Sequence, residues 1–100
     1  MKIAIPSEGR DINSQISKVF ARAPYLLIYD SDDNTYVALE NLGEDIAGPA
    51  TAKRVIELGV EKVIVDRIGS YALDTLNGNG ILVIGGARGS VWNAIVKHVR

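Results

Sequence analysis

The chain has no cysteine and a single histidine, His98, among its 100 residues. Without a thiolate it can build no thiol nucleophile, no disulfide and no cysteine-held metal site. No apolar run approaches the ~20 residues of a membrane span, and the opening MKIAIPSEGR is too short in its apolar stretch for a signal peptide. The expectation is a cytoplasmic protein with no membrane partner. A basic excess is missing too: Lys and Arg number 11 against 12 Asp and Glu, a net charge of −1. Nonspecific nucleic-acid binding needs clustered cations that neutralise several phosphates, so nucleic acid is not an expected partner.

What remains is apolar and regularly punctuated. With 47% hydrophobic residues the chain suffices for one domain over residues 1–100 with a core of its own. KIAIP (2–6) reads as a buried strand, and YLLIYD (25–30) and TYVALE (35–40) read as an antiparallel hairpin joined by the turn-type SDDN. GPATAKRVIELG places Pro49 at a helix start, Ala52, Val55 and Ile56 on one face, and Gly59 as the stop. EKVIVD follows as a fourth strand. A second helix is read with Ser70 as N-cap and Ala72, Leu73 and Leu76 inward, then ILVIGG as a fifth strand and a last helix from Ser90.

The resulting order, β-β-β-α-β-α-β-α, specifies an α/β fold. Right-handed crossovers make the first strand central and give a mixed five-stranded sheet ordered 3-2-1-4-5, with strand two antiparallel and three helices in the flanking layers. The runs expected at its centre lack polar alternation, as strands buried on both faces should. Every helix then begins on one rim, formed by the connections 7–24, 41–48, 66–69 and 85–89. Open parallel sheets bind ligands at such an edge, near the switch between strands one and four. The first connection is longer than a structural turn requires.

The stretches ISKVFARAPYLLIYD, AGPATAKRVIELGVEKVIV, RIGSYALDTL and GILVIGGARGSVWNAI resemble the dinitrogenase iron-molybdenum cofactor biosynthesis family nearly end to end. Its most specific marks are Phe-x-Arg-Ala-Pro at 20–24 and Ile-Gly-x-x-Ala at 68–72. The resemblance implies a ribonuclease H-like three-layer fold and a small nitrogen fixation-related carrier or accessory protein. It also implies iron-molybdenum cofactor or an iron-sulfur precursor as ligand and a cofactor-assembly protein as partner. Two departures stand out. Where the family commonly has His-Phe-Gly-Arg this chain has Val19, Phe20, Ala21 and Arg22, and where a His-Gly pair often precedes the first helix it has Asp45 and Ile46. The histidine ligands that the resemblance implies are absent.

Chemistry is therefore sought in charge. VIGGARGSVWNA (83–94) reads either as a phosphate cradle or as a tight turn that ends on the Ser90 cap; no lysine-threonine pair completes a nucleotide motif. Helix starts near Pro49, Ser70 and Ser90 converge on one region, each favouring an anion by ~0.3–1 kcal/mol. Arg22, Arg67 and Arg88 add charge-assisted donors. The candidate binding residues are Phe20, Arg22, Gly48, Arg67, Gly69, Ser70, Gly86, Arg88, Gly89 and Ser90, for an anionic cofactor or small molecule. Arg22 reads equally as a pin for the long loop through Asp11 or Asp30. His98, in the last helical turn, reads as inert, and Trp92 as packing across a neighbouring helix or as a partner contact. No catalytic set is found: KIAIP offers no carboxylate for a two-metal nuclease, and a serine hydrolase would need a base on the rim. The leading expectation is a non-catalytic binding protein. The alternative is a protein–protein interaction module that has kept the fold and lost the cofactor.

Overall fold

Alternation along each strand decides which layer it serves. The computed structural model describes residues 1–41 and 49–99. In β1 (Lys2–Ser7), Ile3 and Ile5 enter one core cluster and Ala4 the other, all fully buried. β2 (Tyr25–Asp30) repeats this, sending Leu26 and Ile28 to one face and Leu27 and Tyr29 to the other. Burying such a side chain is worth about 1.5–3 kcal/mol, so residues apolar on both faces hold β1 and β2 in the interior of the sheet. β3 (Thr35–Glu40) is an edge, and Tyr36 and Val37 on it are exposed.

The remaining elements are α1 (Pro49–Glu57), β4 (Lys62–Ile64), α2 (Ser70–Gly78), β5 (Leu82–Ile84) and α3 (Val91–His98). The sheet runs β3-β2-β1-β4-β5; β2 is antiparallel to both neighbours, and β4 is parallel to β1 and β5. This is the three-layer α/β arrangement that the order of elements predicts. α1 and α2 cover one face through Ala52, Val55, Ala72 and Leu76, and α3 covers the other through Val91, Ala94 and Ile95. β4 and β5 are shorter than the runs EKVIVD and ILVIGG. The ladder ends with the Val65 N–H donating to Ile84 O at 2.9 Å, and beyond it the pairing slips by one residue, the Ala87 N–H donating to Val65 O at 2.9 Å.

Local signals account for most of the boundaries. In the β2–β3 turn Asn34 takes φ 58°, and the Asp30 carboxylate accepts the Asp32 N–H at 3.0 Å. Gly59 ends α1 at φ 74°, its N–H donating to Ile56 O at 3.1 Å. Ser90 caps α3 as expected, its hydroxyl accepting the Asn93 N–H at 3.1 Å. The expectation for α2 needs correction. Its cap is Gly69, extended at φ −70° and ψ 156°, whose carbonyl accepts the Leu73 N–H at 3.0 Å. Ser70 is the first helical residue, and no side chain caps this helix.

The two serines should therefore respond differently to alanine. Ser90→Ala is expected to cost about 0.5–2 kcal/mol in urea unfolding, while Ser70→Ala stays within about 0.5 kcal/mol.

Candidate rim site

The parallel side of β1 outruns its partner: Ile3 and Ala4 pair with Lys62 and Val63, whereas β1 continues to Ser7. Its last carbonyl groups need donors, and the long connection returns to supply them. Ser17 N–H donates to Pro6 O at 2.9 Å, and Glu8 N–H to Gln15 O at 2.9 Å. The same segment then crosses to the β4–α2 connection, where Arg67 N–H donates to Lys18 O at 3.1 Å and Phe20 N–H to Arg67 O at 3.0 Å. Its other flank is tied to the β5–α3 turn, Ile16 N–H donating to Gly89 O at 2.8 Å. Backbone of the chain itself thus bridges the ends of β1 and β4, where the sequence placed the ligand. The open space is displaced toward β4 and β5.

The glycine-rich turn before α3 is shaped for this docking. Gly89 sits at φ 91° and Gly86 at φ 74°, a backbone region that side chains disfavour. The first N–H groups of α3 turn inward on the loop: Val91 donates to Ser14 O at 2.9 Å, Trp92 to Ile12 O at 2.9 Å and Asn93 to the Ser90 hydroxyl. A helix start whose donors are already bonded has little left for an anion. Side chains, rather than a nest of α3 amides, must supply the positive character of this rim.

They do so in an open cavity of about 430 Å3 lined by Gln15, Ile16, Lys18, Asp66, Arg67, Arg88 and Gly89. Three cations face one carboxylate. Arg88 Nε lies 3.5 Å from Asp66 Oδ1; the Arg88 side chain is 75% exposed and that of Asp66 only 12%. At that separation the pair is a loose charge contact, longer than the 2.7–2.9 Å of a charge-assisted hydrogen bond. The guanidinium keeps most of its five donors for another acceptor.

Of the residues named from sequence, Arg67, Arg88 and Gly89 are brought together in this cavity, with Ser90 next in the chain as the α3 cap. Arg22 ends a short 3-10 turn, Phe20–Arg22, and lines an adjoining hollow of about 460 Å3 with Glu8 and residues 15–19. Among the described residues it makes no ion pair, and Asp11 instead accepts the Asn13 N–H at 2.7 Å, so the expected pin to Asp11 or Asp30 is not formed. Phe20 is 1% exposed and packs in the core, anchoring the loop. Gly69 and Ser70 start α2 outside the cavity lining, and Gly86 lines a smaller hollow of about 170 Å3 beside α3. Gly48, like Asp45 and Ile46, lies outside the described residues.

Lys18, Gln15 and Asp66 escaped the sequence reading. Lys18 and Gln15 need the path of the long loop, but an acid at the C-terminal end of a parallel strand was a usable signal for Asp66. Trp92 also differs from expectation. The face it serves carries α3 as its only helix among the described residues, so the half-buried indole packs against the cluster that includes Ile12 from the long loop.

The cavity was also compared with the chemistry of an iron site. With no cysteine in the sequence, and no group of three or more His, Cys, Asp or Glu side chains among the described residues able to hold a metal, the donor set does not fit direct ligation of cluster iron. His98 does not line this cavity: it ends α3, borders the smaller hollow beside that helix with Gly86 and Arg88, and its carbonyl accepts from Lys62 Nζ at 3.3 Å, at the start of β4.

A three-layer α/β fold with a cationic rim is the class that fold and geometry define. The sequence matches the model of the family described as dinitrogenase iron-molybdenum cofactor over residues 1–100, and the chain belongs to that family. It is similar to a protein from Thermotoga described as a NifB protein of the DUF35 family, at 36% identity and TM-score 0.84, covering 95% of this chain and 84% of that one. The crystal structure of PH0822 is similar at 30% identity and TM-score 0.83, covering 95% and 85%. The apo orange protein from Desulfovibrio gigas, at 20% identity, shares the fold with TM-score 0.88 over 96% of this chain and 84% of that one. None of the curated proteins compared matches the chain.

Substitutions on this rim should separate docking from charge. Gly89→Ala forces a side chain into φ 91° and is expected to cost about 1–3 kcal/mol in urea unfolding. Arg88→Ala removes a loose 3.5 Å contact whose cation is 75% exposed and should change stability by less than about 1 kcal/mol.

Proposed function

We propose that this member of the iron-molybdenum cofactor family is a small, non-catalytic binding protein of the cytoplasm, one domain over residues 1–100, that holds a small anion at the rim of its sheet. The observation that carries this reading is the cavity in which Lys18, Arg67 and Arg88 outnumber Asp66. Such a set attracts an oxyanion from several directions, and two guanidinium groups can each offer paired N–H donors. Toward the family's cofactor the chain offers charge and hydrogen bonds only. Handing the bound anion to an assembly protein would be the accessory role that family membership supports.

The reading as an interaction module draws less support. Trp92, its proposed contact, is half-buried against the protein's own core, and the exposed aliphatic residues Val19, Val37, Leu82 and Val96 are scattered over separate elements.

Anion binding should appear as thermal stabilisation. An anion at ten times its Kd stabilises the native state by about 1.4 kcal/mol, and each kcal/mol raises the Tm of a domain this size by roughly 4–8 °C. Titration with phosphate and sulfate should raise the wild-type Tm and leave that of Arg67→Ala/Arg88→Ala unmoved; equal shifts in both proteins would remove the rim from consideration. Metal analysis gives a second check. The purified protein should be colourless and free of stoichiometric iron, and His98→Ala should change neither that nor anion binding.

A further inference from the structure

The carboxylate inside the cationic cavity narrows the ligand. Resting on the reading of the rim as an anion site, we infer that the cavity selects an oxyanion that still carries a proton, hydrogen phosphate being the fitting species, over oxyanions that carry none.

An anion placed among Lys18, Arg67 and Arg88 comes to lie beside Asp66, because the same cavity is lined by all four and Asp66 Oδ1 is already 3.5 Å from Arg88 Nε. Asp66 cannot easily turn away. Its side chain is 12% exposed and its main chain is fixed on both sides, its carbonyl accepting the Gly86 N–H at 2.9 Å and the next residue, Arg67, being paired with Lys18 and Phe20. Arg88, at 75% exposure, is the less confined partner, and its loose contact leaves its donors open to a ligand.

A fully deprotonated dianion such as sulfate then meets a carboxylate oxygen with two acceptors face to face and no proton between them. Hydrogen phosphate has the same charge and shape but one P–OH. That hydroxyl donates to Asp66 while the other oxygens accept from the three cations, which converts a repulsion into a short O–H···O⁻ bond. The proton stays on the ligand and no bond is made or broken. Of about 430 Å3, a tetrahedral oxyanion leaves room for several waters at about 30 Å3 each, so the ligand need not be large. A phosphate monoester is a different case: its second pKa is near 6, so above neutrality it has lost the proton that Asp66 requires.

Isothermal titration of the full chain at pH 8 tests this with four probes: inorganic phosphate, sulfate, monofluorophosphate and methyl phosphate. Phosphate is expected to bind at least about tenfold more tightly than the other three, none of which carries a proton at that pH; closed sites built to bond a hydroxyl discriminate by far more. In Asp66→Asn, whose amide can donate to a bare oxyanion, phosphate weakens, sulfate strengthens, and the preference falls to within about twofold. An unliganded Tm close to wild type shows that this variant is folded. If it is not, the wild-type ratio of phosphate to monofluorophosphate decides alone. Equal wild-type affinity for all four probes, tight binding of methyl phosphate, or a preference that survives in folded Asp66→Asn would overturn the inference and leave the anion site standing. Failure of every probe to bind would overturn the anion site itself, and the inference with it.

Discussion

Main-chain hydrogen bonding at the rim is the constraint on which the rest of this structure depends. β1 ends with carbonyl groups that β4 is too short to meet, and α3 starts with N–H groups that no preceding turn can bond. Each such group left dry and unpaired would cost about 1–3 kcal/mol. A single segment, residues 12–20, answers all of them at once: it donates to Pro6, exchanges bonds with Arg67, donates to Gly89 and accepts from Val91 and Trp92. The length of the first connection follows from this. So does the position of the cavity, since the segment bridges the ends of β1 and β4 and the cavity opens beside it, over the connections that follow β4 and β5.

The same segment links packing to electrostatics. Ile12 and Ile16 seal the α3 face of the core while Lys18 and Gln15, from the same stretch, face the cavity. The loop is held at its outer end by Arg10, whose guanidinium lies 5.2 Å from the Tyr25 ring centre and bonds Glu40 at 3.0 Å. Charge on this rim is accordingly held by backbone geometry rather than by a rigid network of ion pairs. A cluster held through iron requires thiolate donors that the sequence does not contain.

Much of this was legible in the residues. KIAIP and KVIV announce doubly buried strands because nothing polar interrupts them, whereas ILVI, read the same way, forms the edge strand β5 with Leu82 exposed; the crossover rule turns the element order into a sheet order. Ser90 could be read as a cap because it directly precedes an inward-facing pattern. Ser70 misled because Gly69 can assume the same extended cap conformation without a side chain, so either residue satisfies the local rule. The convergence of helix starts was harder to interpret: a glycine turn that offers its amides to an anion and one that offers them to its own loop have the same composition. Lys18 and Asp66 lie far apart in sequence, and only the return of the long loop over the rim makes them neighbours.

β3 carries a consequence of another kind. It is a six-residue border of the sheet with Tyr36 and Val37 uncovered, a template on which a second copy could extend the sheet. Carboxylates stand at both of its ends, Asp32 and Asp33 before it and Glu40 at its close. An antiparallel pairing of two such borders brings the acids at the head of one against the acid at the tail of the other, and a parallel stack sets each acid on its own image. Joining two copies along this border therefore brings carboxylates together at the ends of the strand, while Arg10 and the N-terminal ammonium, each 3.0 Å from one of them, are the groups left to offset the repulsion.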